Sequence, residues 1–118
     1  MSQDRRVLIR GKVKEGMVDL GTTNKLALTH ILSIVFYDDE EALPEHAVDK
    51  ANMSGSIHFS ASETGVEYTP LNSPTITLGT TDYERPVAFG SYAKFRMDMS
   101  SVAGATHYIV CLVSAGGV

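Results

Sequence analysis

A chain of 118 residues is long enough for one hydrophobic core and too short for two, so we expect residues 1–118 to form a single domain. Hydrophobic residues make up 43% of the sequence, which excludes an intrinsically disordered chain. Fourteen acidic residues against ten basic ones give a net charge of −4, so the molecule as a whole repels nucleic acid and anionic membranes.

The sequence also predicts that the protein is made and used without crossing a membrane. The N-terminal residues 1–6 are polar and lack the apolar core of a secretory signal. No apolar run approaches the roughly 20 residues that span a bilayer. Cys111 is the only cysteine, which excludes an internal disulfide, and its apolar surroundings favour a buried structural thiol over a reactive nucleophile.

Alternating residues predict three strands in the first third of the chain. Apolar residues alternate with basic ones over residues 7–14, which indicates a strand with a basic outer face. Glu15-Gly16 then turns the chain into a short second strand that ends at Gly21. Residues 26–37 form the longest candidate strand, and its even-numbered positions are apolar except for His30. We interpret His30 as a hydrogen-bonded core or interface residue rather than a catalytic one.

The segment from Asp38 to Ser54 interrupts this pattern and is predicted to be a long acidic loop. Pro44 suits the first position of a short helical turn. The carboxylates of residues 38–41 could meet a hard cation, but they lack the spacing of a calcium loop. A solvated acidic loop is therefore favoured over a calcium site.

Further strands are predicted over residues 56–62, 66–69 and 75–79, with a tight turn at residues 63–65. Pro70 and Pro74 place this part of the chain at a sheet edge or corner. Residues 87–113 predict a long closing hairpin, because an alternating arm and a wholly apolar arm flank a small polar turn. We expect its second arm to lie in the middle of a sheet, covered on both faces.

About eight strands, frequent turn signals and little helical periodicity predict an all-β fold. We expect an antiparallel β-sandwich or jelly roll with one long acidic loop.

The sequence contains none of the common catalytic motifs. It lacks a Gly-x-Ser-x-Gly elbow, a phosphate-binding Gly-rich loop before a helix, and His-Glu-x-x-His. None of the four histidines stands at a metal-ligand spacing from another or from Cys111. We therefore predict a protein that is not an enzyme and that uses no cofactor or metal.

Opposite local charges predict contacts between copies of the chain. Residues 1–14 hold five basic residues and one acidic residue, for a net charge of +4. Residues 38–50 hold six acidic residues and one basic residue, for a net charge of −5. We expect a head-to-tail contact in which the basic strand of one copy meets the acidic loop of the next. The candidate interface residues are Arg6, Arg10, Lys12, Lys14, Asp38, Asp39, Glu40 and Glu41.

The segment Gly90 to Ala105, which contains the run Gly-Ser-Tyr-Ala-Lys-Phe-Arg-Met-Asp-Met, resembles the terminal hairpin of small β-sandwich proteins in tailed-bacteriophage virions. The resemblance implies a non-catalytic virion component, such as a capsid decoration protein or a head or tail accessory subunit. Such a component forms a symmetric homo-oligomer, docks on major capsid or tail proteins, and is made in the bacterial cytoplasm. The resemblance implies no active-site residues, and we expect no binding to nucleic acid or to membranes.

A second hypothesis is a carbohydrate-binding adhesion module with the same architecture. Saccharide sites commonly use an exposed aromatic side chain as a platform, and the chain has no Trp. The candidate platforms are Tyr37, Tyr68, Tyr83 and Tyr92.

Overall fold

The computed structural model describes residues 5–22, 29–80, 87–89, 92 and 94–115. The strands in this part of the chain are β1 (Arg5–Lys12), β2 (Gly16–Thr22), β3 (Thr29–Tyr37), β4 (Ala47–Val48), β5 (Ser54–Ser62), β6 (Thr69–Thr77), β7 (Val87–Phe89), β8 (Lys94–Ala103) and β9 (His107–Ala115). Two single-turn 3₁₀ helices span Pro44–His46 and Lys50–Asn52. Among the described residues, no helix combines the length and the apolar character of a membrane span.

The strands form two antiparallel sheets that pack face to face. Sheet A has the order β1-β9-β3-β7, and the two-residue strand β4 pairs with the end of β3. Sheet B has the order β6-β5-β8-β2. The predicted all-β antiparallel sandwich is therefore confirmed.

Strand β6 joins the two sheets at one side of the sandwich. It pairs with β5 at both of its ends, but residues 71–74 stand opposite a single residue of β5. In this excursion Asn72 pairs with Val87 of β7, which belongs to sheet A. Pro70 and Pro74 flank the excursion, so the predicted corner is confirmed. Proline has no N–H to donate to a ladder, and it is tolerated here because the regular pairing with β5 is interrupted.

The core lies between the sheets and is built from the inward side chains of each strand. The even-numbered residues of β3 and β9 are buried, as are the odd-numbered residues of β5 from Ile57 onwards and those of β8 up to Met99. The largest fully buried side chains include Phe36, Phe59 and Phe95. His30 is also fully buried, and its Nδ1 lies 2.8 Å from Oγ of Ser114. The interpretation of His30 as a hydrogen-bonded core residue fits this placement.

The predicted closing hairpin is wrong. Strand β8 lies between β5 and β2 in sheet B, whereas β9 lies between β1 and β3 in sheet A. The turn between them crosses the sandwich and is held by Thr106, whose N–H donates to the carbonyl of Tyr37 at 3.0 Å. A short turn of small residues suits a hairpin or a crossing equally well, and the crossing lets both strands bury their apolar sides in one core. The central position predicted for β9 is confirmed.

A second correction concerns the segment after β5. Residues 66–68, predicted to begin a strand, belong to a loop in which Oγ of Ser62 accepts a hydrogen bond from the N–H of Gly65 at 2.7 Å. Strand β6 then runs through both prolines, where two strands with a break between them were expected. The long third strand is observed from Thr29 onwards, and its predicted start at residues 26–28 lies outside the described residues.

A β-bulge bends β8 where it passes β5. Ser54 pairs with Ala103 and Ser56 with Ser100, so two residues of β8 stand opposite Gly55. Both sides of the bulge use left-handed backbone, with φ of +100° at Gly55 and 55° at Ser101. The N–H of Ser101 donates to a carboxylate oxygen of Glu15 at 2.8 Å, which ties the bulge to the β1–β2 turn.

We expect Gly55→Ala to destabilise the protein much more than Gly16→Ala. Both glycines have a φ near +100°, so both substitutions carry the same backbone strain. Only at residue 55 would the new Cβ overlap the backbone of Ser101, whereas no atom lies within 4 Å of it at residue 16. Urea unfolding should show an additional loss of about 1–3 kcal/mol for Gly55→Ala. Equal losses for the two variants would contradict this account of the bulge.

The ring of Tyr108 lies against its cross-strand partner Gly11, where any Cβ would overlap the phenol. Burial raises the pKa of Tyr108 because it disfavours the phenolate. The unfolded chain therefore loses this proton first, and the free energy of unfolding should fall as the pH rises above about 10. Tyr108→Phe should flatten that alkaline decline relative to the wild type. Thermal unfolding measured between pH 8 and 11 tests the difference.

Candidate assembly surface

The outward side chains of β1, β9 and β3 form a regular array on sheet A, which we call the outer face. Strand register aligns them in four rows across the three strands. From one end to the other, the rows are Arg6–Val113–Ile31, Leu8–Cys111–Ser33, Arg10–Ile109–Val35 and Lys12–His107–Tyr37.

The middle of the outer face is apolar. Leu8 is 53% exposed and Val35 is 41% exposed, although large apolar side chains prefer burial. Between them, Ile109, Cys111 and Val113 of β9 are half-buried. The sequence predicts that β9 is covered on both faces, but in the described part of the chain a second layer covers its inner side alone. The outer side is an apolar surface formed by neighbouring strands.

A column of basic residues borders this apolar surface. Arg6, Arg10 and Lys12 are exposed on β1, which pairs with β9 at the edge of sheet A, and Lys14 is exposed just beyond the strand. The predicted basic outer face of the first strand is therefore confirmed. Charged side chains on an edge strand oppose pairing with further strands, so contact with another protein is favoured through the face rather than through the edge.

The acidic segment, residues 38–41, lies at one end of the outer face. It begins directly after Tyr37, which belongs to the row of Lys12 and His107. All four carboxylate residues are exposed, and Oδ1 of Asp39 accepts a hydrogen bond from the N–H of Glu41 at 2.9 Å. Glu40 turns back towards the sheet, where it lines a small pocket with Arg10, His107 and Ile109.

The structure brings one basic and one acidic residue of the predicted interface together. Arg10 and Glu40 border the same pocket. Arg6 lies four residues before Arg10 on β1, about 13 Å away from it. This places Arg6 at the end of the outer face opposite the acidic segment. In the described ranges no group of three or more His, Cys, Asp or Glu residues is arranged to hold a metal ion.

Three of the four histidines lie close to hydroxyl groups of the fold. His30 pairs with Ser114 in the core, as described above. Nδ1 of His58 lies 3.0 Å from the hydroxyl of Thr75, its cross-strand partner on β6. Nδ1 of His107 lies 2.8 Å from the hydroxyl of Thr106. In each pair the ring nitrogen and the hydroxyl form a hydrogen bond.

The tyrosines considered as saccharide platforms differ in their surroundings. Tyr92 lines a pocket beside the β5–β6 loop, and its ring packs edge-on against His30. The ring of Tyr68 is covered by the guanidinium of Arg96, which lies 3.7 Å from the ring centre. Tyr37 is half-buried in the last row of the outer face, and Tyr83 lies outside the described residues.

The pocket at Tyr92 includes residues that sequence reasoning missed. Its other lining residues are Ala61, Glu63, Thr64, Glu67 and Thr69. Their proximity depends on the loop over residues 63–68, where a turn followed by a strand was expected. The polar composition of that loop was the only available signal.

No protein-family model matches the chain, and no curated protein matches it. Its structure is similar to that of YomS, a protein derived from the SPBc2 prophage, with a TM-score of 0.61 and 12% identity over 98% of this chain and 96% of that one. It is also similar to a chain of the Bacillus endospore appendages, described as disulfide-linked pili, with a TM-score of 0.57 and 12% identity over 99% of this chain and 88% of that one.

A third similar structure is a chain from the acid-stable capsid of Helicobacter pylori bacteriophage KHP30. Its TM-score is 0.52, with 9% identity over 98% of this chain and 94% of that one. At these identities the similarities concern the fold, which this chain shares over nearly its whole length with proteins of a prophage, a pilus and a phage capsid.

Proposed function

We propose that the protein is a non-enzymatic structural subunit of a bacteriophage particle. It acts by self-association and by docking on other virion proteins, such as the major capsid protein or tail proteins. The observation that carries this proposal is the apolar outer face of sheet A with its charged border.

This surface has the composition of a protein–protein interface. Contiguous exposed apolar patches mark interaction sites when polar residues surround them. Here the apolar centre includes Leu8, Ile109 and Val35, and basic and acidic side chains lie along its side and at one end. Such a pairing of apolar centre and polar rim is typical of subunit contacts.

The structural similarities support a role in assembled particles. Two of the similar proteins belong to a prophage and to a phage capsid, and the third belongs to a pilus. We infer that this chain, made in the host cytoplasm, is incorporated into the virion as a decoration or accessory subunit of the head or tail. His30 and Ser114 are both fully buried in the core, which is consistent with a structural rather than a catalytic role for this pair.

We expect the purified protein to form oligomers whose masses are multiples of 12.8 kDa at micromolar concentration, because the outer face gains stability when it leaves water. Native mass spectrometry measures this directly. Peptides of the chain should also be enriched in phage particles purified from the source organism, compared with the soluble fraction of the same lysate. A protein that stays monomeric at every concentration and is absent from particles would refute the proposal.

A saccharide-binding adhesion module is the second candidate, and the pocket at Tyr92 favours it. An aromatic ring beside the carboxylates of Glu63 and Glu67 and the hydroxyls of Thr64 and Thr69 resembles the mixture of apolar and polar contacts that orients a sugar.

If this pocket binds a saccharide, a glycan array should identify a ligand whose affinity falls about tenfold or more in Glu63→Gln and Glu67→Gln. A hydrogen bond to a charged group contributes about 1.5–3 kcal/mol, which corresponds to such a change. Glu45→Gln, at an exposed glutamate outside the pocket, is the matched control. Absence of any bound glycan, or equal binding by all three variants, would exclude this function for the pocket.

A further inference from the structure

The pocket at Tyr92 combines an aromatic ring with two acidic residues. Glu63 and Glu67 are exposed in the loop over residues 63–68, and both line the pocket together with Tyr92. No basic residue is among the described residues that line it. The pocket has a volume of about 290 Å³, close to the lower end of the roughly 300–1,000 Å³ of typical ligand sites. It therefore accommodates a group of the size of a single sugar ring.

The walls of this pocket are held in place by the fold. The N–H of Gly65 donates to Oγ of Ser62 at 2.7 Å, which ties the loop to the end of β5. The ring of Tyr92 packs edge-on against the ring of Phe95, which is fully buried in the core. Groups that are ordered before binding lose less conformational entropy when a ligand arrives.

The basic side chains near the loop lie on its other side. Lys94 and Arg96 belong to the even-numbered residues of β8, which point away from the core. Nζ of Lys94 lies 3.5 Å from the position that a Cβ would occupy at Gly65, and the guanidinium of Arg96 covers the ring of Tyr68. Neither of them lines the pocket, whereas Ala61, an inward residue of β5, does. The charge next to a bound ligand is therefore negative.

This local charge favours a ligand that carries positive charge. A ligand in the pocket removes water from Glu63 and Glu67, and a carboxylate that leaves water loses free energy unless it is paired. The hydroxyls of a neutral sugar return hydrogen bonds alone. An ammonium group also donates hydrogen bonds and adds coulombic attraction to them.

We propose that the pocket at Tyr92 binds an amino sugar whose nitrogen is not acetylated and therefore carries a positive charge. Glu63 and Glu67 hold the ammonium group, and the ring of Tyr92 packs against the apolar side of the sugar. This inference rests on the second function proposed above, because it names the class of saccharide that the adhesion module recognises.

The first experiment compares two probes that differ in the charge on nitrogen. Isothermal titration calorimetry at low ionic strength measures the affinity for a tetramer of glucosamine and for the same tetramer with every nitrogen acetylated. Acetylation removes the positive charge but keeps the sugar rings and their linkage. The glucosamine tetramer should bind about tenfold or more tightly than the acetylated one. Equal affinities, or tighter binding of the acetylated tetramer, would contradict the proposal.

Two double variants of equal net charge distinguish the pocket from general attraction of a cation to an acidic protein. Glu63→Gln with Glu67→Gln should weaken binding of the glucosamine tetramer about tenfold or more and remove its advantage over the acetylated tetramer. Glu41→Gln with Glu45→Gln removes two exposed carboxylates outside the pocket and should change the affinity less than about twofold. Equal losses in both double variants would refute the pocket as the binding site.

Lys94→Met tests the sign of the ligand's charge. Methionine keeps an unbranched side chain against Gly65 and removes the ammonium group beside the loop. Loss of this like charge should tighten binding of the glucosamine tetramer about twofold or more and leave the acetylated tetramer unaffected. Unchanged or weaker binding of the glucosamine tetramer contradicts the proposal. Circular dichroism confirms that every variant is folded.

Nuclear magnetic resonance locates the bound probe on the wild-type protein. The backbone amide signals of residues 63–69 should shift when the glucosamine tetramer is added, because these residues form one wall of the pocket. The signals of the acidic segment should stay in place. Shifts confined to the acidic segment would refute the pocket.

The outcomes separate this inference from the function on which it rests. If both tetramers bind equally and Glu63→Gln with Glu67→Gln weakens both, the pocket binds saccharides without selecting their charge. The inference is then refuted while the saccharide-binding function stands, and the same conclusion follows if the glycan array identifies uncharged ligands alone. If neither tetramer binds and the array identifies no ligand, both are refuted.

Discussion

The pairing of β9 with β1 on one side and β3 on the other determines both surfaces of sheet A. Because side chains alternate along a strand, this double pairing directs Tyr108, Val110 and Leu112 into the core. The same pairing sets Ile109, Cys111 and Val113 side by side on the outside. A one-residue change of register would exchange the two sets, so the inner packing and the outer face depend on the same hydrogen bonds.

Much of the fold could be predicted from the alternation of apolar and polar residues. The buried even-numbered residues of β3 and the odd-numbered ones of β5 stand where the sequence pattern places them. Partners could not be predicted, since alternation indicates which side of a strand is buried but not which strand lies beside it. Thus β8 and β9 were expected to pair with each other, although each lies between two other strands in its own sheet.

The candidate site was predicted only in part, again because alternation does not indicate which strands are neighbours. The basic residues of β1 and the acidic residues after Tyr37 are conspicuous in the sequence, but their position on one side of the molecule follows from the pairing of β1 and β3 with β9. The apolar character of β9 predicts burial on both sides, whereas the structure covers one side. A continuous apolar strand is equally compatible with one buried side and one side available to another subunit, and a single chain does not distinguish them.

The strand order also affects how the chain can fold as it is synthesised. In the described residues β1 pairs with β9 and β2 pairs with β8, so both early strands find their neighbours among strands that leave the ribosome much later. Sheet A cannot be completed before β9 has emerged, and sheet B cannot be completed before β8 has emerged. Pairings between such distant segments form slowly, because a long loop must close before any contact compensates for the lost entropy. Strand β1, which in the described residues pairs with β9 alone, must therefore wait unpaired during translation, a period in which protection by chaperones would suppress aggregation.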